Sequence, residues 1–135
     1  MSDVLLLDSG VWIATRDAKD PWEASSRELA FGRRRITGAL DLTLHEVANT
    51  VGAKWRQEAD ATELCRSVER RCAQRLVRVD GNLIRSIVEI AIGYRLTSYD
   101  AAYVAVARRH DWTLVSTDIR DLVSKGLAIT PDAAV

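Results

Sequence analysis

The segment Val4-Leu5-Leu6-Leu7 is short, wholly apolar and followed at once by Asp8-Ser9-Gly10. Such a run, with no polar alternation, has no face to offer water. It reads as a strand buried on both sides that ends in a turn, the kind found in parallel sheets. Residues 76–79, 113–116 and 127–130 are further short strand candidates, and residues 36–40 a weaker one. Between them the apolar spacing changes to that of helices, over residues 9–15, 22–32, 43–55, 60–74 and 99–110. Leu83, Ile84, Ile87, Val88 and Ala91 mark another helix, and residues 118–125 a short one. Strands alternating with helices predict an α/β fold: a three-layer α/β/α sandwich around a central parallel sheet. In sheets of this kind ligands bind beyond the carboxyl ends of the strands.

Length and composition fit one domain over residues 1–135, because 47% of the chain is hydrophobic and no linker or repeat divides it. No apolar run approaches the ~20 residues of a membrane helix. Met1-Ser2-Asp3 carries no basic leader, so a cytoplasmic protein with no membrane partner is expected. Cys65 and Cys72 lie seven apart in a helical pattern and read as small apolar side chains, far from a zinc spacing. Net charge is zero, which removes a global signature for nucleic acid. The cations are biased, with sixteen Arg against three Lys. Arg33, Arg34, Arg35, Arg66, Arg70, Arg71, Arg75, Arg78, Arg108 and Arg109 are candidates for phosphate contacts or solvated helix faces.

Four acids stand where such a sheet would gather them. Asp8 follows the first strand and Asp118 the strand at residues 113–116, so a parallel sheet delivers both to one edge. Glu46 and Asp100 fall in the first turns of helices that reach this edge if they pack beside it. Each has a bland reading too. Thr43-Leu44-His45-Glu46 fits a capping box. Asp100 complements a helix dipole, and Asp118 and Asp121 suit caps. Asp60, with Glu63 three residues on, reads as the cap of another helix. As a group, however, the carboxylates would repel unless some protonated or a cation joined them. Mg²⁺ or Mn²⁺, which prefer hard oxygen ligands, would resolve the conflict and suit metal-assisted phosphodiester chemistry. Neither histidine is well placed as a base: His45 is expected to face away from Glu46, and His110 ends a helix.

Three blocks carry a family resemblance. VLLLDSGVWIA (residues 4–14), LTLHEVANTV (42–51) and YDAAYVAVARRHDWTLVSTD (99–118) together resemble the PIN-domain family, in the family's order and across nearly the whole chain. Size and the helices between Glu46 and Asp80 resemble its VapC-type toxins. The resemblance implies that Asp8, Glu46, Asp100 and Asp118 are metal-binding catalytic acids using Mg²⁺ or Mn²⁺. It also implies that Ser9 is the hydroxyl residue after the first acid. Ser116 stands where threonine is more usual and keeps the hydroxyl. Asn49, three residues after Glu46 on the same helix face, reads as a supporting hydrogen-bond partner or a solvated side chain. Asp121 reads as an extra acid or, in preference, a helix cap.

The implied activity is an endoribonuclease, the toxin of a toxin–antitoxin pair. RNA is the implied substrate, a small VapB-like antitoxin the partner and a homodimer the assembly. Trp12, Trp22, Phe31 and Trp55 are candidates for core, dimer interface or antitoxin groove. Two other readings compete. One is a catalytically silent PIN fold that binds RNA or protein. The other is a receiver-type signalling domain with an acidic Mg²⁺ pocket, but such a domain needs paired acids after the first strand, where Asp8 stands alone.

Overall fold

A computed structural model describes residues 3–135; Met1 and Ser2, part of the N-terminal stretch read above for basic charge, lie outside the described residues. Strand β1 (Val4–Leu7) is the first of four parallel strands, with β2 (Ile36–Leu40), β3 (Leu76–Val77) and β4 (Thr113–Val115). Their spatial order is β3-β2-β1-β4. The helices are α1 (Ser9–Ala14), α2 (Glu23–Phe31), α3 (Asp41–Val47), α4 (Glu58–Cys72), α5 (Gly81–Tyr94), α6 (Ser98–His110) and α7 (Pro131–Ala134).

Side-chain alternation along the strands makes the layers. On β1, Leu5 and Leu7 join a core with α1, α2 and α4, while Leu6 joins a second core with α5 and α6. Ala39 and Val115 face the first core, Leu40 and Leu114 the second. Period two thus sends each strand's apolar groups to both faces, which is why the strands carry no charged position and only Thr37 and Thr113 as polar ones. The fold is the expected α/β/α sandwich with a central parallel sheet. Its order also separates it from the receiver reading, whose strands run 2-1-3-4-5.

The chain runs outward from β1 through β2 to β3, then returns to place β4 on the other side of β1. Keeping a right-handed crossover while reversing direction requires the helices to change faces, and α5 and α6 pack on the opposite face from α1, α2 and α4. The reversal leaves a switch point between β1 and β4, where Leu7 pairs with Val115. Helix α6 fits close beneath the sheet because it is alanine-rich, with residues 101–107 all buried.

Several elements differ from the sequence expectation. Helix α3 begins at Asp41, immediately after β2, and continues past Val47 as a wider π-helical segment over Ala48–Lys54. Helix α4 begins at Glu58, so Asp60 sits inside its first turn rather than capping it. The short helix after Asp118 is a π-helical turn, Ile119–Val123. Residues 127–130 form only an isolated parallel bridge, Ile129 to Val115. The left-handed turn at Gly126 (φ 73°) precedes that bridge and Pro131 starts α7 just after it, leaving little room for a strand.

Both cysteines are free; Cys72 is buried and Cys65 half-buried. Burial pushes the Cys72 thiol up to about 11, which keeps it protonated and unreactive. Several of the candidate arginines hold the chain itself together. Arg71 donates to the carbonyls of Gly32 and Arg35. Arg75 donates to Thr37 O at 2.8 Å, and Arg70 pairs with Glu63.

Candidate functional site

Asp8 leaves β1 at the switch point and caps α1, its Oδ1 accepting from Val11 N at 3.2 Å. Ser116, the residue after β4, donates its hydroxyl to Asp8 Oδ2. The same Ser116 oxygen accepts from Asp118 N at 2.9 Å. Buried Ser116 therefore ties the first acid to the loop that carries the last one. Gly10 makes the approach close enough: a Cβ there would collide with Thr117 Oγ1 and sit 3.3 Å from Asp8 Oδ1.

Glu46 arrives by a different route. The capping-box reading of residues 43–46 is overturned, because α3 starts two residues before Thr43. Inside that first turn Thr43 Oγ1 accepts from Leu40 N at 3.3 Å. Glu46 lies a turn further on and is free of capping. Its Oε1 accepts from Tyr103 OH at 2.7 Å, and Tyr103 OH is 2.8 Å from Thr43 Oγ1. The donors run in one direction: Leu40 N–H to Thr43, Thr43 hydroxyl to Tyr103, Tyr103 hydroxyl to Glu46. Thr43 and Tyr103 were not singled out from the sequence. Their signal was spacing, since Thr43 precedes Glu46 by three residues and Tyr103 follows Asp100 by three, one helical turn in each case.

Asp100 lies in the first turn of α6, whose cap Thr97 accepts from Asp100 N at 3.1 Å. Asp118 caps the π-helical turn, accepting from Asp121 N at 2.9 Å. That division of labour leaves the Asp121 carboxylate outside the capping role preferred for it on sequence. Among the described residues, Asp100, Asp118 and Asp121 each offer a carboxylate oxygen, and the three atoms lie within 4.8 Å of one another. Ser9, His45, Glu46, Asn49 and Tyr99 share a cavity of about 410 Å³ beside this cluster. His45 thus opens onto the same cavity as Glu46 rather than away from it, and Asn49 and Ser9 stand with them.

The electrostatics report crowding. Burial raises the Asp8 carboxyl to about 7, against the lowering effect of the Ser116 and Val11 hydrogen bonds, and the Glu46 and Asp100 charges add to the rise. Asp100 is also raised, first by burial and then by Asp118, Glu46 and Asp121. The buried Tyr103 hydroxyl is held well above its ordinary value by burial and by Glu46. The cluster of Asp100, Asp118 and Asp121 offers hard carboxylate oxygens. This set fits a hard divalent cation, which would offset the burial and the added charge repulsion that raise Asp8 and Asp100.

The PIN domain profile matches residues 5–124. No curated protein sequence matches the chain. Solved structures share its fold at low identity. One is a toxin–antitoxin complex chain from Klebsiella pneumoniae, at 16% identity and TM-score 0.71, covering 94% of this chain and 97% of that one. Another is PAE2754 of Pyrobaculum aerophilum, at 23% identity and TM-score 0.67, covering 96% and 84%. A third is VapC20 of Mycobacterium tuberculosis, a sarcin-ricin loop cleaving toxin, at 16% identity and TM-score 0.66, covering 83% and 86%. With its switch-point acids and a profile that spans most of its length, the chain belongs to the PIN domain family.

Proposed function

We propose that this chain is a divalent-metal-dependent endoribonuclease, the VapC-type toxin of a toxin–antitoxin pair acting in the cytoplasm. The observation that carries this reading is the grouping of Asp100, Asp118 and Asp121, whose carboxylate oxygens lie within 4.8 Å of one another, with Asp8 and Glu46 near enough for their charges to couple to Asp100. In this reading Asp8, Glu46, Asp100 and Asp118 hold Mg²⁺ or Mn²⁺, and Asp121 joins them. When bound, such an ion supplies charge neutralisation at a phosphate and acidification of water. Ser116 fixes the Asp8 carboxylate through its hydroxyl and keeps Asp118 in register. Tyr103 orients Glu46, and Ser9 and Asn49 line the approach. Hydrolysis by water breaks the P–O3′ bond, leaving a 3′-hydroxyl on one fragment and a 5′-phosphate on the other.

Toxin–antitoxin complexes among the structural relatives support a small VapB-like antitoxin as partner. A second copy of this chain is the other partner in this reading. No helix among the described residues is long and apolar enough to cross a membrane.

The test is cleavage of total bacterial RNA by antitoxin-free protein, with end mapping, in Mg²⁺, Mn²⁺ or EDTA. Discrete cuts that need metal, leave 5′-phosphates and vanish in Asp8→Asn and Asp100→Asn are expected. Products ending in 2′,3′-cyclic phosphate, or cutting that survives EDTA, would overturn the mechanism. Metal binding by a folded protein that cuts no RNA would favour the silent binding module.

A further inference from the structure

The acids locate a reacting phosphate and leave open what holds the nucleotide beside it. Tyr99 directly precedes Asp100 and is 59% exposed as a residue. It lines the cavity it shares with Glu46, His45 and Asn49, and also a second, more apolar cavity of about 280 Å³ with Leu42, Val79 and Ile84. Among the described residues its ring has no aromatic or cationic partner, unlike Tyr94, which lies under Arg108. An exposed aromatic between two clefts is a surface without a present occupant.

The charge pattern narrows what that occupant is. Glu46 lines the cavity and Asp100 follows Tyr99 directly in the chain, so a second phosphate is repelled there. A neutral flat ring is not, and every base has such a face. His45 and Asn49 supply donors and acceptors at the same rim, suited to a base edge. Inside an A-form duplex the base faces are already stacked, so only an unpaired nucleotide offers one. Resting on the ribonuclease reading above, we propose that Tyr99 is the stacking platform for an unpaired base next to the scissile phosphate, with His45 and Asn49 at its edge.

The experiment measures binding of a fluorescein-labelled single-stranded RNA of about 12 nucleotides, and of the same strand in a duplex, by fluorescence polarisation in Ca²⁺. It compares wild type, Tyr99→Ala and Tyr99→Phe, and calorimetry with Mn²⁺ checks the acidic site in each. Wild type should prefer the single strand by at least about tenfold. Tyr99→Ala should weaken that binding about 5- to 100-fold and raise KM in parallel, whereas Tyr99→Phe should stay within about threefold. Mn²⁺ affinity should hold in both variants. Equal binding by Tyr99→Ala, equal binding of duplex and single strand, or loss of Mn²⁺ binding in Tyr99→Ala would each overturn the platform. A wild type that cuts RNA while Tyr99→Ala matches it removes the platform and leaves the ribonuclease standing. A wild type that binds neither RNA removes both.

Discussion

At the scale of single residues, Asp8 sets a sign that can be measured. Its carboxyl titrates near 3.8 when exposed and at about 7 in the metal-free fold. Between these values the folded chain keeps a proton that the unfolded chain has released. Stability from this residue is therefore fully present below about 4 and is lost as pH rises towards 7, the reverse of a salt-bridged carboxylate. Asp100 shifts in the same direction. Asp8→Asn removes the dependence, so its melting temperature without metal should rise relative to wild type as pH goes from 4 to 7. A difference that stays flat with pH would refute this. Because a bound cation displaces the proton, Mn²⁺ affinity should climb over the same window.

Tyr103 gives a second prediction at this scale. Tyr103→Phe keeps the ring but leaves Thr43 and Glu46 without their shared partner. Removing such an orienting hydrogen bond costs about 10- to 100-fold in metal affinity and about 1–3 kcal/mol of stability. Calorimetric titration with Mn²⁺ checks the first and urea unfolding the second. Unchanged Mn²⁺ affinity would mean that Glu46 is held well enough without Tyr103. The roles of Thr43 and Tyr103 escaped the sequence because a hydroxyl at a helix start looks like any cap, and a tyrosine among alanines looks like core. Only the packing of α6 against α3 joins them.

At the scale of elements, what the sequence showed depended on whether a signal was local. Strands β1 and β4 were readable because doubly buried strands contain nothing charged, and Asp8 and Asp118 followed from their ends. The start of α3 was not readable, since the chain passes from Leu40 into helix with no loop and the first cap-like pattern lies inside it. Asp121 was read as a cap for a related reason: one cap was needed at that turn, and Asp118 fills it. Close approach between elements left only faint marks, as at Gly38. There a Cβ would sit 2.7 Å from Trp112 Cζ3 and 3.2 Å from Arg75 O. Trp112 is itself stacked on His110, with centroids 4.5 Å apart, so the ring has little freedom to yield. Gly38→Val should destabilise by about 1–3 kcal/mol, seen as a lower urea midpoint. A midpoint equal to wild type would show that Trp112 moves aside at no cost.

At the scale of the whole molecule, the outer face of α5 is the feature a lone copy does not explain. Leu83, Ile87 and Ile90 fill the core, while Ile84, Val88 and Ile92 remain 50%, 47% and 76% exposed. Their i, i+4, i+8 spacing lays one apolar stripe along the helix. The stripe is bordered by Arg85 and Glu89, paired at 3.3 Å. A two-fold axis passing between these two would set each Arg85 opposite the other copy's Glu89 and lay the stripes antiparallel. Such a face is self-complementary, as an isologous dimer requires. Placing a charge in the stripe should then split the dimer without touching the acidic site. Ile92→Asp and Val88→Asp should elute as monomers by size exclusion with light scattering, where wild type should elute as a dimer. Both should keep the melting transition of a folded chain, because neither residue is in the core. A wild-type monomer, or dimers in both variants, would take the second copy off this face. The stripe would then be free for another occupant, the antitoxin being the first to test by titration against the same variants.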